Sequence, residues 1–169
     1  QQVSEQLIHL NPSFITAPVC SFAATEDEVA LSVFHQQMLD SDMLLYMPRY
    51  SEPLNSYVFC RVVDLDALKP GKFGILEPEE NDSCMSLNEA KEYIATWMVP
   101  GMAFDSNGNR LGRGMGWYDR FLVHCKGVKF GVLFDCQLVQ GVGFDSFDIS
   151  MDYLVTPSNT YSIMGSIKK

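Results

Sequence analysis

Residues 110–119 read RLGRGMGWYD. Gly112, Gly114 and Gly116 stand at alternate positions, Arg110 and Arg113 flank the first of them, and an aromatic pair and Asp119 close the run. Alternate glycines let backbone N–H groups approach a phosphate without Cβ clashes, and a helix N-terminus after them adds partial positive charge. Arg110 and Arg113 can supply charge-assisted hydrogen bonds to such an anion. Asp119 would repel a phosphate, but it can hold a magnesium ion that touches one, because Mg²⁺ takes one or two carboxylates plus phosphate oxygens. The competing reading is a flexible turn with an aspartate in the first helical turn. The Walker A pattern is absent, and the spacing G-x-G-x-G is not the dinucleotide fingerprint. DSNGN at 105–109 fails as a calcium loop, since Arg110 and Gly116 fall where glycine and glutamate are needed. It reads as a turn.

The elements around the loop must carry it. Residues 1–9 read as a helix with Val3, Leu7 and Ile8 on one side, and SFITAPVC as a strand. TEDEVALSVFHQQML reads as a helix opened at Thr25 by a capping box with Glu28, with Val29, Val33, Phe34 and Met38 at helical spacing. MLLYM is a short strand stopped by Pro48, and SYVFCRVVDL is a second strand. KPGKFGILEPEEND is loop-like, SLNEAKEY a short helix and IATWMV a buried-type strand. A helix from about Trp117 to Cys125 follows the glycine-rich loop, then strands at KFGVLF and DYLVT. Short apolar strands alternating with helices predict an α/β fold with a mainly parallel sheet covered on both faces. Ligands bind beyond the carboxyl ends of such strands, and the loop after IATWMV has that position.

The 169 residues suit a single domain, with no internal repeat or linker. A net charge of −9 argues against nucleic acid as a partner, though a local arginine cluster can still hold a small anion. No apolar run suggests a membrane span, and the opening QQVSEQLIHLNP lacks the features of a signal peptide, so the expected location is cytoplasmic. Five cysteines, with no C-x-x-C, indicate neither a zinc site nor a disulfide framework. His9, His35 and His124 match no catalytic position and read as structural or exposed.

VPGMAFDSNGNRLGRGMGWYDRFL at 99–122 resembles, nearly position for position, a motif of the 5-formyltetrahydrofolate cyclo-ligases, also called methenyltetrahydrofolate synthetases. KFGILEP, YMPRY, GVLFDCQLV and DISMDYLVT are similar to further family segments. The resemblance implies a three-layer α/β/α fold related to sugar-phosphate isomerase and CoA-transferase domains. It implies a reaction dependent on ATP and Mg²⁺, closing 5-formyltetrahydrofolate to 5,10-methenyltetrahydrofolate through phosphorylation of the formyl oxygen. Carried over by motif position, Arg110, Leu111, Gly112, Arg113, Gly114, Met115, Gly116, Trp117 and Tyr118 form the ATP and substrate loop. Arg113 and Tyr118 are the catalytic candidates, and Asp119 and Asp148 the metal candidates. The implied partners are reduced formyl-folate and ATP, on a protein read as a monomer.

Three positions depart from the family pattern. No Lys or Arg precedes Arg49, so the basic N-terminal helix of the family is read as absent or truncated. FAAT at 22–25 takes the place of an acidic E-x-x-T, with Phe22 at the carboxylate's position, and Met115 stands where Lys or Gly is common. These departures motivate a second reading, a folate- or nucleotide-binding paralog with little turnover.

Overall fold

The structure is a computed structural model that describes residues 1–10, 14–81, 83–114, 116–143 and 148–163. The chain begins with helix α1 (Gln2–His9), strand β1 (Val19–Cys20), helix α2 (Ser32–Asp40) and the hairpin β2 (Leu45–Ser51) and β3 (Ser56–Val62). A small ribbon, β4 (Lys69–Pro70) and β5 (Leu76–Glu77), precedes β6 (Met85–Ser86), helix α3 (Leu87–Tyr93) and β7 (Thr96–Pro100). Then come β8 (Ala103–Asp105), β9 (Arg110–Leu111), α4 (Trp117–Leu122), β10 (Val128–Val132), β11 (Leu138–Val139), β12 (Tyr153–Val155) and β13 (Thr160–Ser162).

The main sheet has eight strands in the order β13-β12-β10-β7-β1-β2-β3-β6. The pairings β12/β10, β10/β7, β7/β1 and β1/β2 are parallel, whereas β12/β13, β2/β3 and β3/β6 are antiparallel. The predicted parallel sheet is thus its centre, and both margins are antiparallel. Side chains alternate across it, as the period of a strand requires. Val19, Leu45, Met47, Met98, Phe130 and Val155 face one core with Val3 and Leu7 of α1 and Phe34 and Met38 of α2. Cys20, Tyr46, Phe59, Trp97, Val99 and Leu154 face the other with Ala90 of α3 and Phe121 and Leu122 of α4. Burying one such side chain fully is worth about 1.5–3 kcal/mol. Among the described residues, no helix is long and apolar enough to cross a membrane.

Five expectations change. The helix begins at Ser32, not Thr25. Thr25 N does donate to Glu28 Oε2 at 3.0 Å, but the bond closes one turn and no helix follows it. Val29 and Leu31 explain this, since both are buried in the same core and residues two apart cannot share a helix face. Val33, read as a core position, is 45% exposed. Pro48 does not end its strand. Val19 N donates to Leu44 O and Ser21 N to Tyr46 O, so even-numbered residues turn their backbone groups toward β1. Pro48 shares that parity, and β1 has ended before reaching it, so its missing N–H leaves no gap in the ladder.

The helix after the loop stops at Leu122, not Cys125. Finally, Cys60 and Cys84 form a disulfide. The register Val58↔Ser86 and Phe59↔Met85 brings these two cysteines opposite each other on the next rung, which a sequence separation of 24 conceals. Cys20, Cys125 and Cys136 are free thiols.

His35 joins α2 to the end of β1, with its Nε2 2.7 Å from Ser21 Oγ and both residues buried. Burial disfavours the imidazolium and lowers its pKa from 6.5 to about 4. The folded pKa is depressed, so this stabilising effect is complete above 6.5 and is lost as pH falls toward about 4. Urea midpoints should therefore decline across that window, and His35→Gln should flatten the decline. Equal slopes in the two proteins would refute the assignment.

Candidate functional site

β7 ends at Pro100, and the chain turns through Gly101 into the β8/β9 hairpin. Asp105 holds that hairpin closed. Its Oδ1 accepts from Asn107 N at 2.9 Å and Asn109 N at 3.1 Å, and its Oδ2 from Asn109 Nδ2 at 3.0 Å and Val142 N at 3.3 Å. Burial alone would push this carboxyl up, but the bonds from Asn109, Val142 and Asn107 hold it below its ordinary value. DSNGN is therefore the turn its composition predicts. Gly108 supplies a φ of 79°, and a Cβ there would fall 2.7 Å from Met151 O. Met151 N donates to Gly108 O and Ser150 Oγ to Asn109 Oδ1, which pins the 148–151 segment to this turn.

The hairpin delivers Arg110 into the interior. Its side chain is 4% exposed, and Nη2 donates to Asp119 Oδ2 at 2.9 Å. The guanidinium carbon lies 5.4 Å from the Tyr118 ring centre. Arg113, half exposed, reaches across to the 25–28 turn, where Nη2 donates to Thr25 Oγ1 at 3.0 Å and Asp27 Oδ2 at 3.3 Å. Gly114 and Gly116 take positive φ of 83° and 59°, and Gly116 is the residue before α4. Backbone at positive φ is reached at least cost without a side chain.

Thr25, Arg110, Arg113, Gly116 and Tyr118 border a cavity of about 320 Å³. Phe22, Tyr57, Phe73, Ile75, Trp117 and Phe121 form apolar walls, and Thr25, Glu28, Glu77, Arg110 and Arg113 bring polar groups to it. Tyr57 packs edge-on against Trp117 and Phe121. Burial pushes the Tyr118 phenol far up, with Cys20 and Glu28 adding to it and Arg110 opposing. Burial also raises Tyr57, reinforced by Glu77 and Tyr50. Both phenols are thus hydrogen-bond donors and not bases at neutral pH. Glu77 is raised by burial against the opposing effects of Tyr50 N and Arg49.

Of the predicted site residues, Arg110, Gly112, Arg113, Gly116, Trp117 and Tyr118 border the cavity. Leu111 is half exposed, and its carbonyl accepts from Met102 N. Gly114 is exposed, and Met115 lies outside the described residues. Asp119 sits one layer behind the cavity wall. Its Oδ1 is buried without a hydrogen-bond partner among the described residues. A buried carboxylate oxygen left so is the kind of vacancy a cation fills. No group of three or more metal-ligating side chains occurs among the described residues, so a metal here would rest on few carboxylates and on its substrate's oxygens. Asp148 belongs to the segment pinned to the hairpin turn and is not among the cavity-lining residues.

Glu28 and Glu77 are cavity residues that the sequence does not single out as site residues. Glu28 reads as a helix cap, and as a replacement for the family carboxylate only if the helix is shifted; with the helix starting at Ser32 it lines the cavity while its Oε2 accepts from Thr25 N. Glu77 lies in KFGILEP, so its signal was the motif and not its spacing. Phe22 takes a wall position beside them.

The model of the 5-formyltetrahydrofolate cyclo-ligase family matches residues 1–157. The chain belongs to that family. A 5-formyltetrahydrofolate cyclo-ligase of Haemophilus influenzae is 27% identical over 161 residues, which is 92% of this chain and 84% of the relative. That of Escherichia coli is 26% identical over 166 residues, 95% of this chain and 89% of the relative. The NMR structure of Aquifex aeolicus 5,10-methenyltetrahydrofolate synthetase superimposes with a TM-score of 0.81 at 30% identity, covering 99% of this chain and 82% of that one. A Mycoplasma pneumoniae 5,10-methenyltetrahydrofolate synthetase, at 18% identity and a TM-score of 0.65, shares the fold. The eight-stranded, mostly parallel sheet is therefore the cyclo-ligase family's architecture, and RLGRGMGWYD lies inside the matched region.

Asp105→Ala removes the acceptor for four donors at the base of this loop. It should lower stability by about 1–3 kcal/mol, the cost of leaving such groups unsatisfied. Urea denaturation checks this, and a midpoint indistinguishable from wild type would contradict the role given to Asp105.

Proposed function

We propose that this chain closes 5-formyltetrahydrofolate to 5,10-methenyltetrahydrofolate at the expense of ATP. The observation that carries the reading is the placement of the family loop: Arg110, Gly112, Arg113, Gly116, Trp117 and Tyr118 border an aromatic-walled cavity, and the Asp119 carboxylate is held by Arg110. A flat, nitrogen-rich pterin suits such walls, with Trp117, Tyr57 and Phe22 against its faces. Glu28 and Glu77 would accept hydrogen bonds from its amino and ring N–H donors.

The chemistry needs an oxygen made into a leaving group. The formyl oxygen attacks the γ-phosphorus of ATP, the bond to the β-phosphate bridging oxygen breaks, and ADP departs. N10 then attacks the activated carbon and loses its proton. The carbon–oxygen bond breaks, and inorganic phosphate leaves with the former formyl oxygen. Phosphoryl transfer of this kind depends on positioning and charge neutralisation. Arg113 would exchange Thr25 and Asp27 for the transferring phosphoryl group. The Tyr118 phenol, held protonated, would donate a hydrogen bond within the loop. Magnesium held by Asp119 and Asp148 would neutralise phosphate charge. The same reading makes the protein a cytoplasmic monomer of three-layer α/β/α type, related to the isomerase and CoA-transferase folds.

One observation favours the binding-only alternative. Among the described residues, Arg110 and Arg113 are the cations that border the cavity, and Arg110 is already committed to Asp119.

Mixing the protein with ATP, Mg²⁺ and 5-formyltetrahydrofolate should produce the ultraviolet band of the methenyl product. Arg113→Ala should cost about 10²–10³ in turnover, the scale for removing one donor to a transition state, and should fold normally because its side chain is half exposed. Ligand-induced melting shifts without any product would favour the binding-only reading.

A further inference from the structure

Arg110 has the side-chain type of a phosphate ligand, but its surroundings give it different work. Its side chain is 4% exposed and spends Nη2 on Asp119 Oδ2 at 2.9 Å. Space has been reserved for it on both sides. A Cβ at Gly101 would fall 2.8 Å from the Phe104 ring and 2.9 Å from the Arg110 Cγ, and one at Gly112 would fall 2.8 Å from the Arg110 Nη1. Gly112, by type a glycine for phosphate approach, thus also clears the path of a guanidinium. Tyr118 lies alongside, 5.4 Å from ring centre to guanidinium carbon. With Oδ2 occupied, Asp119 retains one buried oxygen, Oδ1, that no described group satisfies.

We propose that Arg110 is a positioning residue: it clamps Asp119 through Oδ2, sets the plane of the carboxylate, and reserves Oδ1 as the single oxygen offered to magnesium, without binding the phosphates of ATP itself. The proposal rests on the reading of Asp119 as the magnesium carboxylate. A planar, permanently charged guanidinium suits this task, because its fixed donors dictate the orientation of the acid they hold. A lysine ammonium would neutralise the charge and leave the plane free. The two arginines of the loop then divide their roles. Arg110 is buried and fixed, whereas Arg113 is half exposed and held by two groups that a phosphate can displace.

The test uses the full chain as wild type, Arg110→Gln, Arg110→Lys, Asp119→Asn and the double variant Arg110→Gln/Asp119→Asn. Two ligands are measured without formyl-folate, so no turnover intervenes: ATP with chelator present, by calorimetry, and Mn²⁺ with ATP, by paramagnetic resonance of the free ion. A positioning role predicts that Arg110→Gln weakens Mn²⁺ binding by about ten-fold or more, the scale for losing a partner that orients a metal ligand. Metal-free ATP affinity should stay within about two-fold. The double variant should bind Mn²⁺ no worse than Asp119→Asn alone, because Arg110 acts through that carboxylate. Arg110→Lys, which keeps the buried charge compensated, should fold where Arg110→Gln does not, and should show the same loss of Mn²⁺ with ATP retained. A fall in metal-free ATP affinity in either Arg110 variant, added to the effect of Asp119→Asn, would make Arg110 a phosphate ligand and overturn the proposal while leaving the function intact. A wild-type protein that binds neither ATP nor Mn²⁺ would overturn the proposed function, and this assignment with it.

Discussion

The site depends on one ion pair, the buried Arg110 with the partly buried Asp119. Removing the carboxylate leaves the buried guanidinium uncompensated, a loss that approaches about 3–5 kcal/mol only for a fully buried pair. The fold therefore has to deliver both ends. Arg110 comes from β9, held in register by the Asp105 turn, and Asp119 from the first turn of α4. Between them the loop must cover the distance with backbone that folds back sharply, which Gly114 and Gly116 permit through positive φ. The glycine spacing is thus tied to the pair it connects as much as to an anion.

Around the pair, the cavity is assembled from segments far apart in the chain. The 22–28 turn supplies Phe22, Thr25 and Glu28, the β4/β5 ribbon supplies Glu77 with Phe73 and Ile75 between its strands, and β3 and α4 supply the aromatic stack. Each is anchored by a different interaction. Ser21 and His35 tie the first segment to α2. Arg49 Nη1 donates to Pro78 O, and Ser51 Oγ to Glu80 Oε1, which fasten the chain after the ribbon to β2. The result is a cavity with apolar walls and a few polar groups converging on it, the usual form of a small-molecule site. Arg113 is half exposed and held by a half-buried hydroxyl, Thr25, and an exposed carboxylate, Asp27, so it is the loop cation best able to change partners when an anion arrives.

How much of this was legible in the sequence depended on whether the signal was local. The buried strand at Thr96–Pro100, the strand at Val128–Val132, the short helix Leu87–Tyr93 and the DSNGN turn follow from short patterns, and all are present. The loop itself was legible as a site because its glycines and charges are contiguous. Features that depend on partners distant in sequence were not legible. The helix after Thr25 starts late because Val29 and Leu31 are drawn into the core together, which no capping pattern reports. Cys60 meets Cys84 only through the β3/β6 register. Glu77 reaches the cavity on a ribbon that reads as loop, fitting where a Cβ on Gly71 would collide with its carboxylate. Arg110 shows the limit most clearly, since residue type suggests a phosphate ligand and only packing against Gly101 and Gly112 reveals a clamp.

The central claim is that this cavity converts the formyl oxygen of a reduced folate into the oxygen of a phosphate. The most direct measurement is a single turnover with 5-formyltetrahydrofolate carrying ¹⁸O in the formyl group, followed by mass analysis of the inorganic phosphate released. The account predicts that the label appears in the phosphate as the methenyl product forms. Unlabelled phosphate formed alongside that product would contradict it.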